Sequence, residues 1–159
     1  MSQIKANTSR QGTGGCTCFK LRRLTRRVTA VYDRALAASG MRVTQYSVLS
    51  YLRGSPGVSM SQLAEILDMD RTTLTRNLRP LLDAGWVEVR ASAEDARVRL
   101  VQITPAGEAQ WRGARAYWRR AQDEVNAAIG TVNLAGLHAM LDSYLPLFRP
   151  ATGNEGEME

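Results

Sequence analysis

Arg71, Thr72, Thr73, Thr75, Arg76 and Arg79 gather guanidiniums and hydroxyls into one short stretch. On a helical wheel Thr72, Arg76 and Arg79 share a side, flanked by Arg71 and Thr73, while Leu74, Leu78, Leu81 and Leu82 occupy the other. A guanidinium can grip guanine O6 and N7 with two hydrogen bonds, and hydroxyls can meet phosphates or base edges. Such a helix could anchor through one side and read a nucleic-acid groove with the other; taken alone, the division also fits an ordinary amphipathic surface helix. A second chemistry lies in Cys16-Thr17-Cys18, followed by Lys20, Arg22 and Arg23. At the start of a helix, the dipole and these cations would favour thiolate. His138, the sole histidine, has no Cys, Asp or Glu pattern beside it, so it reads as a surface or seam residue.

The elements holding the arginine-bearing stretch are legible around it. Ser59-Met60-Ser61-Gln62 is an S-x-x-Q capping box ahead of the apolar run Leu63, Ala64, Ile66 and Leu67. Asp68-Met69-Asp70 interrupts that first helix, and Asp70 can cap a second over Arg71–Ala84 by accepting from the Thr72 or Thr73 amide. Gly85 suits the position just past its end. Pro80 removes one hydrogen bond inside the helix and predicts a kink or tightening after Arg79.

Two strand-like runs follow, Trp86–Arg90 and Arg97–Ile103, joined by the polar connection Ala91–Ala96. In the second run Val98 and Leu100 alternate against Val101 and Ile103, which predicts a bulge or burial on both faces. An arginine on such a tip can enter a minor groove beside a helix lying in the major groove. Arg97 is the candidate, with Asp95 placed to orient it. Ser61 and Arg99 complete the candidate contacts to double-stranded DNA.

The chain has 159 residues, 44% hydrophobic content and a formal net charge of +6, which suit one folded domain with a polyanionic partner. The charge is unevenly placed: Met60–Thr104 holds six arginines against seven acids, whereas Cys16–Arg42 carries Lys20 and six arginines against Asp33 alone. Arg112, Arg115, Arg119 and Arg120 form another cluster. Met1–Gly15 is polar, with no apolar core of a secretory signal, and no membrane-spanning run is visible, so the reading is cytoplasmic. Residues 1–15 read as a flexible arm and 150–159 as an acidic disordered tail.

Three apolar seams flank the central module: Leu21, Leu24, Val28, Val31 and Ala35; Trp111, Ala114, Trp118, Ala121 and Val125; Leu134, Leu137, Leu141, Tyr144 and Phe148. Thr104-Pro105 should cap the second and Asn133 the third. Three seams exceed what one small domain needs to cover itself, which favours a homodimer over a monomer that folds its terminal helices onto its own core. The expected fold is mainly α with a small β-hairpin wing. It is a winged helix-turn-helix over 41–104, with a helical dimerisation layer from 16–40 and 105–149.

Arg42-Val43-Thr44-Gln45-Tyr46, Gln62-Leu63-Ala64, Asp70 to Arg76, Gly85-Trp86-Val87, Asp95-Ala96-Arg97 and Ile103-Thr104-Pro105-Ala106-Gly107 together resemble the MarR family of transcriptional regulators. The likeness covers roughly residues 18 to 148. It implies a triangular homodimer, usually a repressor, released by a small aromatic or phenolic effector or by oxidation. The family's wing often reads Asp-x-Arg-Asp-x-Arg, and Ala91-Ser92-Ala93-Glu94 departs from its first part. Cys18-Phe19 is similar to the organic-hydroperoxide-sensing branch, in which the cysteine becomes a sulfenic acid bonded by two tyrosines of the partner subunit. Tyr32 matches one of those tyrosines; Val43 stands at the other, and no distal cysteine is available to resolve the acid.

Other readings of the same residues stay open. Cys16 and Cys18 could be small buried hydrophobes at a seam, or two ligands of a soft metal whose remaining ligands would come from a partner. A thiol-active enzyme lacks Cys-x-x-Cys spacing and a base, so no enzymatic activity, cofactor or metal is expected. A winged-helix adaptor that binds another protein is the remaining alternative.

Overall fold

The computed structural model describes residues 15–148 except Ala96; the acidic tail and all but Gly15 of the expected arm lie outside the described residues. The chain divides into two compact units, 1–121 and 122–159. In the first, α1 (Thr17–Leu36) leads through a 3-10 turn (Ala37–Ser39) to α2 (Val43–Leu52). Then come β1 (Val58–Ser59), α3 (Met60–Ile66), α4 (Arg71–Asp83), β2 (Val87–Ala91), β3 (Arg99–Ile103) and α5 (Pro105–Ile129), whose last turns pass into the second unit.

Each helix start has a local cause. Asp33 of α1 accepts from the Val43 amide at 2.8 Å, and Gln45 Oε1 accepts from the Arg42 amide at 2.8 Å, fixing the first turn of α2. Ser59 and Gln62 form the expected box: the Gln62 amide donates to Ser59 Oγ at 3.2 Å, and the Ser59 amide to Gln62 Oε1 at 3.1 Å. The turn into α4 needs a positive φ at Asp68 (49°), a conformation that aspartate tolerates better than most residues. Gly85 (φ 67°) ends α4 as expected. Pro80 is accommodated, since the helix continues past it to Asp83.

Leu74, Leu78 and Leu81 of α4 are fully buried with Leu49 and Leu52 of α2, Leu63 of α3 and Val101 of β3. Each such leucine contributes roughly 1.5–3 kcal/mol. Leu82 departs from the expected apolar side and is 39% exposed. One residue turns the helix by ~100°, so Leu82 falls at the edge of the leucine arc, beside Thr75.

The sheet has the order β1-β3-β2, with both pairings antiparallel. Val87↔Ile103 through Ala91↔Arg99 is an unbroken register, so the bulge considered for the second strand is absent between β2 and β3. Val101 is buried, Leu100 and Ile103 are half-buried and Val98 lies in the exposed loop before the strand. The uneven alternation therefore reflects a short strand paired on both edges. β1, which pairs Val58 with Val101, was not anticipated.

The second apolar seam is largely consumed within the chain itself. Trp111 and Ala114 belong to the core, Ala121 is buried and Trp118 is half-buried against the core, so Trp111, Ala114 and Ala121 are not available as a surface for a second copy. Tyr46 stacks with both Trp111 and Trp118 at 5.7 Å between ring centroids, and Trp111 Nε1 donates to Ser50 Oγ at 2.8 Å. In the first seam Leu21 and Leu24 remain about half exposed.

In the second unit, α6 (Thr131–Tyr144) is followed by a 3-10 turn (Leu145–Phe148). Asn133 does not cap it: Gly130, with φ 83°, starts the helix earlier, and Asn133 Nδ2 donates instead to the Ile129 carbonyl at 3.1 Å. Val132, Tyr144, Leu147 and Phe148 are exposed.

The base of the hairpin is tied to α5. Thr104 Oγ1 donates to the Gly85 carbonyl at 2.7 Å and accepts from the Gly107 amide at 3.0 Å, and the Thr104 amide donates to the Trp86 carbonyl at 3.0 Å. A Cβ at Gly107 would overlap the Trp86 carbonyl oxygen and lie 2.9 Å from Ile103 Cγ1. Gly107→Ala should therefore destabilise the protein by about 1–3 kcal/mol in urea unfolding; an unchanged midpoint and slope would contradict this close approach.

Asp70 caps α4 as expected, accepting from the Thr73 amide at 2.8 Å and from Thr73 Oγ1 at 2.6 Å. The Thr73 hydroxyl, then its amide, hold the Asp70 carboxyl below its ordinary value. A lowered folded value means that this cap contributes its full stability above the unfolded-state pKa and loses it as pH falls through the folded value. In a carboxyl-carbon NMR titration the Asp70 midpoint should lie below the usual aspartate value and move towards it in Thr73→Val; an unmoved midpoint would refute the hydroxyl's role.

Candidate nucleic-acid interface

The buried leucines of α4 turn its other side outward. Arg71, Thr72, Thr75, Arg76 and Arg79 are exposed and together line one shallow, open groove. Their hydrogen-bonding capacity is not equal. Thr75 Oγ1 donates to the Arg71 carbonyl at 2.8 Å, and Thr73 is taken up by the Asp70 cap. Arg79 Nε lies 3.9 Å from Asp83 Oδ2, with both side chains largely exposed, a loose pair that costs little to break. Among the described residues Arg71 and Arg76 take part in no salt bridge, so their forks are presented to solvent.

The remaining candidates are near the module's edges. Ser61 is exposed in the first turn of α3. Arg97 is exposed in the loop between β2 and β3, and Arg99 opens β3 opposite Ala91. Asp95 acts on the backbone of this loop: its carboxylate accepts from the Arg97 amide at 2.9 Å, and its carbonyl accepts from the Val98 amide at 2.9 Å. The Ser92 amide, in turn, donates to the Val98 carbonyl at 2.8 Å. Asp95 thus shapes the turn from which Arg97 projects. Arg90, which was not singled out, pairs with Glu88 at 2.7 Å.

Cys16 and Cys18 are free and exposed in the single chain, at the cap and first turn of α1. Tyr32 lies fourteen residues beyond Cys18 on the same helix, which is about 21 Å along its axis. It packs near Trp118, 6.3 Å between centroids, and burial raises its phenol pKa. Burial likewise raises that of Tyr46, against the opposing pull of Arg115, Arg53 and Arg119. His138 is exposed on α6. Among the described residues no three His, Cys, Asp or Glu side chains are grouped to hold a metal ion, and no helix is long and apolar enough to cross a membrane.

This arrangement has counterparts among known proteins. A sequence model described as the MarR family matches residues 39–98. The transcriptional regulator PetP of Rhodobacter capsulatus is 30% identical over 122 residues, covering 72% of this chain and 71% of PetP. The multiple antibiotic resistance protein MarR of Salmonella typhimurium is 32% identical over 106 residues, 65% of this chain and 72% of that protein. The Mycobacterium tuberculosis transcriptional regulator MosR, solved in complex with DNA, superimposes with a TM-score of 0.66 and 38% identity over 80% of this chain and 97% of MosR. Exposed arginines on a leucine-anchored helix, a wing beside it and relatives of this extent lead to one conclusion: the chain belongs to the MarR family of transcriptional regulators.

Proposed function

We propose that the protein is a homodimeric, sequence-specific DNA-binding repressor. The observation that carries this reading is the open groove lined by Arg71, Thr72, Thr75, Arg76 and Arg79, in which Thr72, Arg76 and Arg79 lie on the side of α4 opposite its buried leucines. In a major groove, Arg71 and Arg76 pair with guanine edges and Thr72 and Ser61 meet phosphates or bases, while Thr73 and Thr75, whose hydroxyl protons are donated within the protein, accept from base amino groups. Arg79 exchanges Asp83 for the duplex. Arg97, carried by the Asp95-shaped turn, enters the adjacent minor groove, and Arg99 meets the backbone beside it.

The apolar residues left exposed at both ends, Leu21 and Leu24 on α1 and Tyr144 and Phe148 after them, support a dimer layer built from 16–40 and 105–149. Two α4 helices related by a two-fold axis would address half-sites about 34 Å apart, so the operator is a pseudo-palindrome. MosR, solved in complex with DNA, supports this reading.

Release by a small aromatic ligand or by cysteine oxidation completes the proposal. Cys16 and Cys18 are free thiols at the start of α1, exposed in the single chain, which supports the oxidation arm. An organic hydroperoxide would transfer one oxygen to the Cys18 thiolate and leave as the alcohol, giving a sulfenate. Tyr32 could meet it only from the partner subunit, given its distance along α1.

Selection of bound duplexes from random DNA should return a pseudo-palindrome. Arg76→Ala should weaken binding to the selected duplex by about 1–3 kcal/mol, relaxing preference at one base pair of each half-site while sedimentation still reports a dimer. A monomer in solution, or unchanged discrimination, would overturn the reading. Cys18→Ser should bind the same duplex and stay bound under organic hydroperoxide, whereas release equal to wild type would remove the redox arm.

A further inference from the structure

We propose that α1 carries a second, sequence-independent DNA-binding surface, formed by Lys20, Arg22, Arg23, Arg26 and Arg27. The first 32 residues of the chain contain seven cations and no acid, so the positive charge missing from the winged module is concentrated here. All five α1 side chains are exposed, and among the described residues none takes part in a salt bridge. Asp33, the nearest acid along the helix, is engaged at the other end by the Val43 amide.

On the helix the five cations fall within one arc of about 160°. Leu21, Leu24, Val28, Val31 and Tyr32 occupy the opposite arc, which brings Tyr32 against Trp118. Their span, Lys20 to Arg27, is about 10 Å of axis, or roughly one positive charge per 2 Å. Duplex DNA carries one phosphate per ~1.7 Å of its axis. A cationic row of that density is matched to a duplex.

The placement also works against α1 taken alone. Cys16 gives the helix no side-chain cap, and the first turn has no acid and places the Lys20 cation at the positive end of the dipole. A polyanion laid along the arc offsets that cost. A membrane surface fits less well, because a helix lying on lipid must turn its whole apolar arc outward, and here Val28, Val31 and Tyr32 are half-buried, Tyr32 against Trp118, while Leu21 and Leu24 are assigned to the proposed dimer layer.

The inference rests on the DNA-binding reading only in taking the polyanion to be a duplex. Its test compares wild type with the quadruple variant Arg22→Gln, Arg23→Gln, Arg26→Gln, Arg27→Gln and with the same four positions changed to Lys. Binding to a random-sequence duplex is followed as log K against log salt. The Gln set should lose about 0.9 of slope per phosphate contact removed, up to about 3.6 for four, while the Lys set retains it. An unchanged slope in the Gln set would overturn the assignment. So would loss of binding to phosphatidylserine vesicles in place of loss of duplex binding, or an equal loss in the Lys set. An α1-dependent slope without discrimination between selected and random duplexes would refute the sequence-specific function and leave this surface standing.

Discussion

Burial of Leu74, Leu78 and Leu81 against α2, α3 and β3 decides which way every other side chain of α4 points. A helix has one angular degree of freedom about its axis, and three fully buried leucines remove it. Thr72, Arg76 and Arg79 are outward because the leucines are inward; Arg71, on the leucine side of the wheel, is exposed as the first residue of the helix. The Asp70 cap and Gly85 set where this helix begins and ends, so both the rotation and the position of the basic side are held by features independent of any DNA.

The wing is held from its base. Thr104 joins the end of α4, the start of β2 and the first turn of α5 through three hydrogen bonds, and Gly107 lets the α5 backbone press against Trp86. Above that base the hairpin loop is exposed and shaped by Asp95. Rigid anchoring below a shaped, solvated tip leaves the Arg97 side chain room to move without disturbing α4. The near balance of charge in the module keeps non-specific attraction low there, which favours discrimination by geometry.

Local signals were legible in the sequence. Ser59 with Gln62, Asp70 with Thr73, Thr104 before Pro105, and Gly85 each act within a few residues, and each occupies its expected place. Long-range competition was not legible. Trp111, Ala114 and Trp118 have the spacing of a helix seam, but nothing in that spacing says that the partner of the two tryptophans is Tyr46 of the same chain. β1 has two residues and owes its existence to β3, forty residues away. Asn133 had the chemistry of a cap, and Gly130 pre-empted it through its backbone. Leu82 shows the same limit at the finest scale, since a leucine at the edge of an arc is buried or exposed according to what lies across from it. For the candidate site, the identity and outward direction of the arginines could be read in advance, whereas the engagement of Thr73, Thr75 and Asp95 by their own backbone or cap could not.

Methylation of guanine N7 across the selected duplex, followed by separation of bound from free DNA, tests the central claim most directly. Arginines of two outward-facing α4 helices in successive major grooves predict interference at two symmetric clusters about one helical turn, ~34 Å, apart. Interference confined to one cluster, or none at any guanine, would contradict the account.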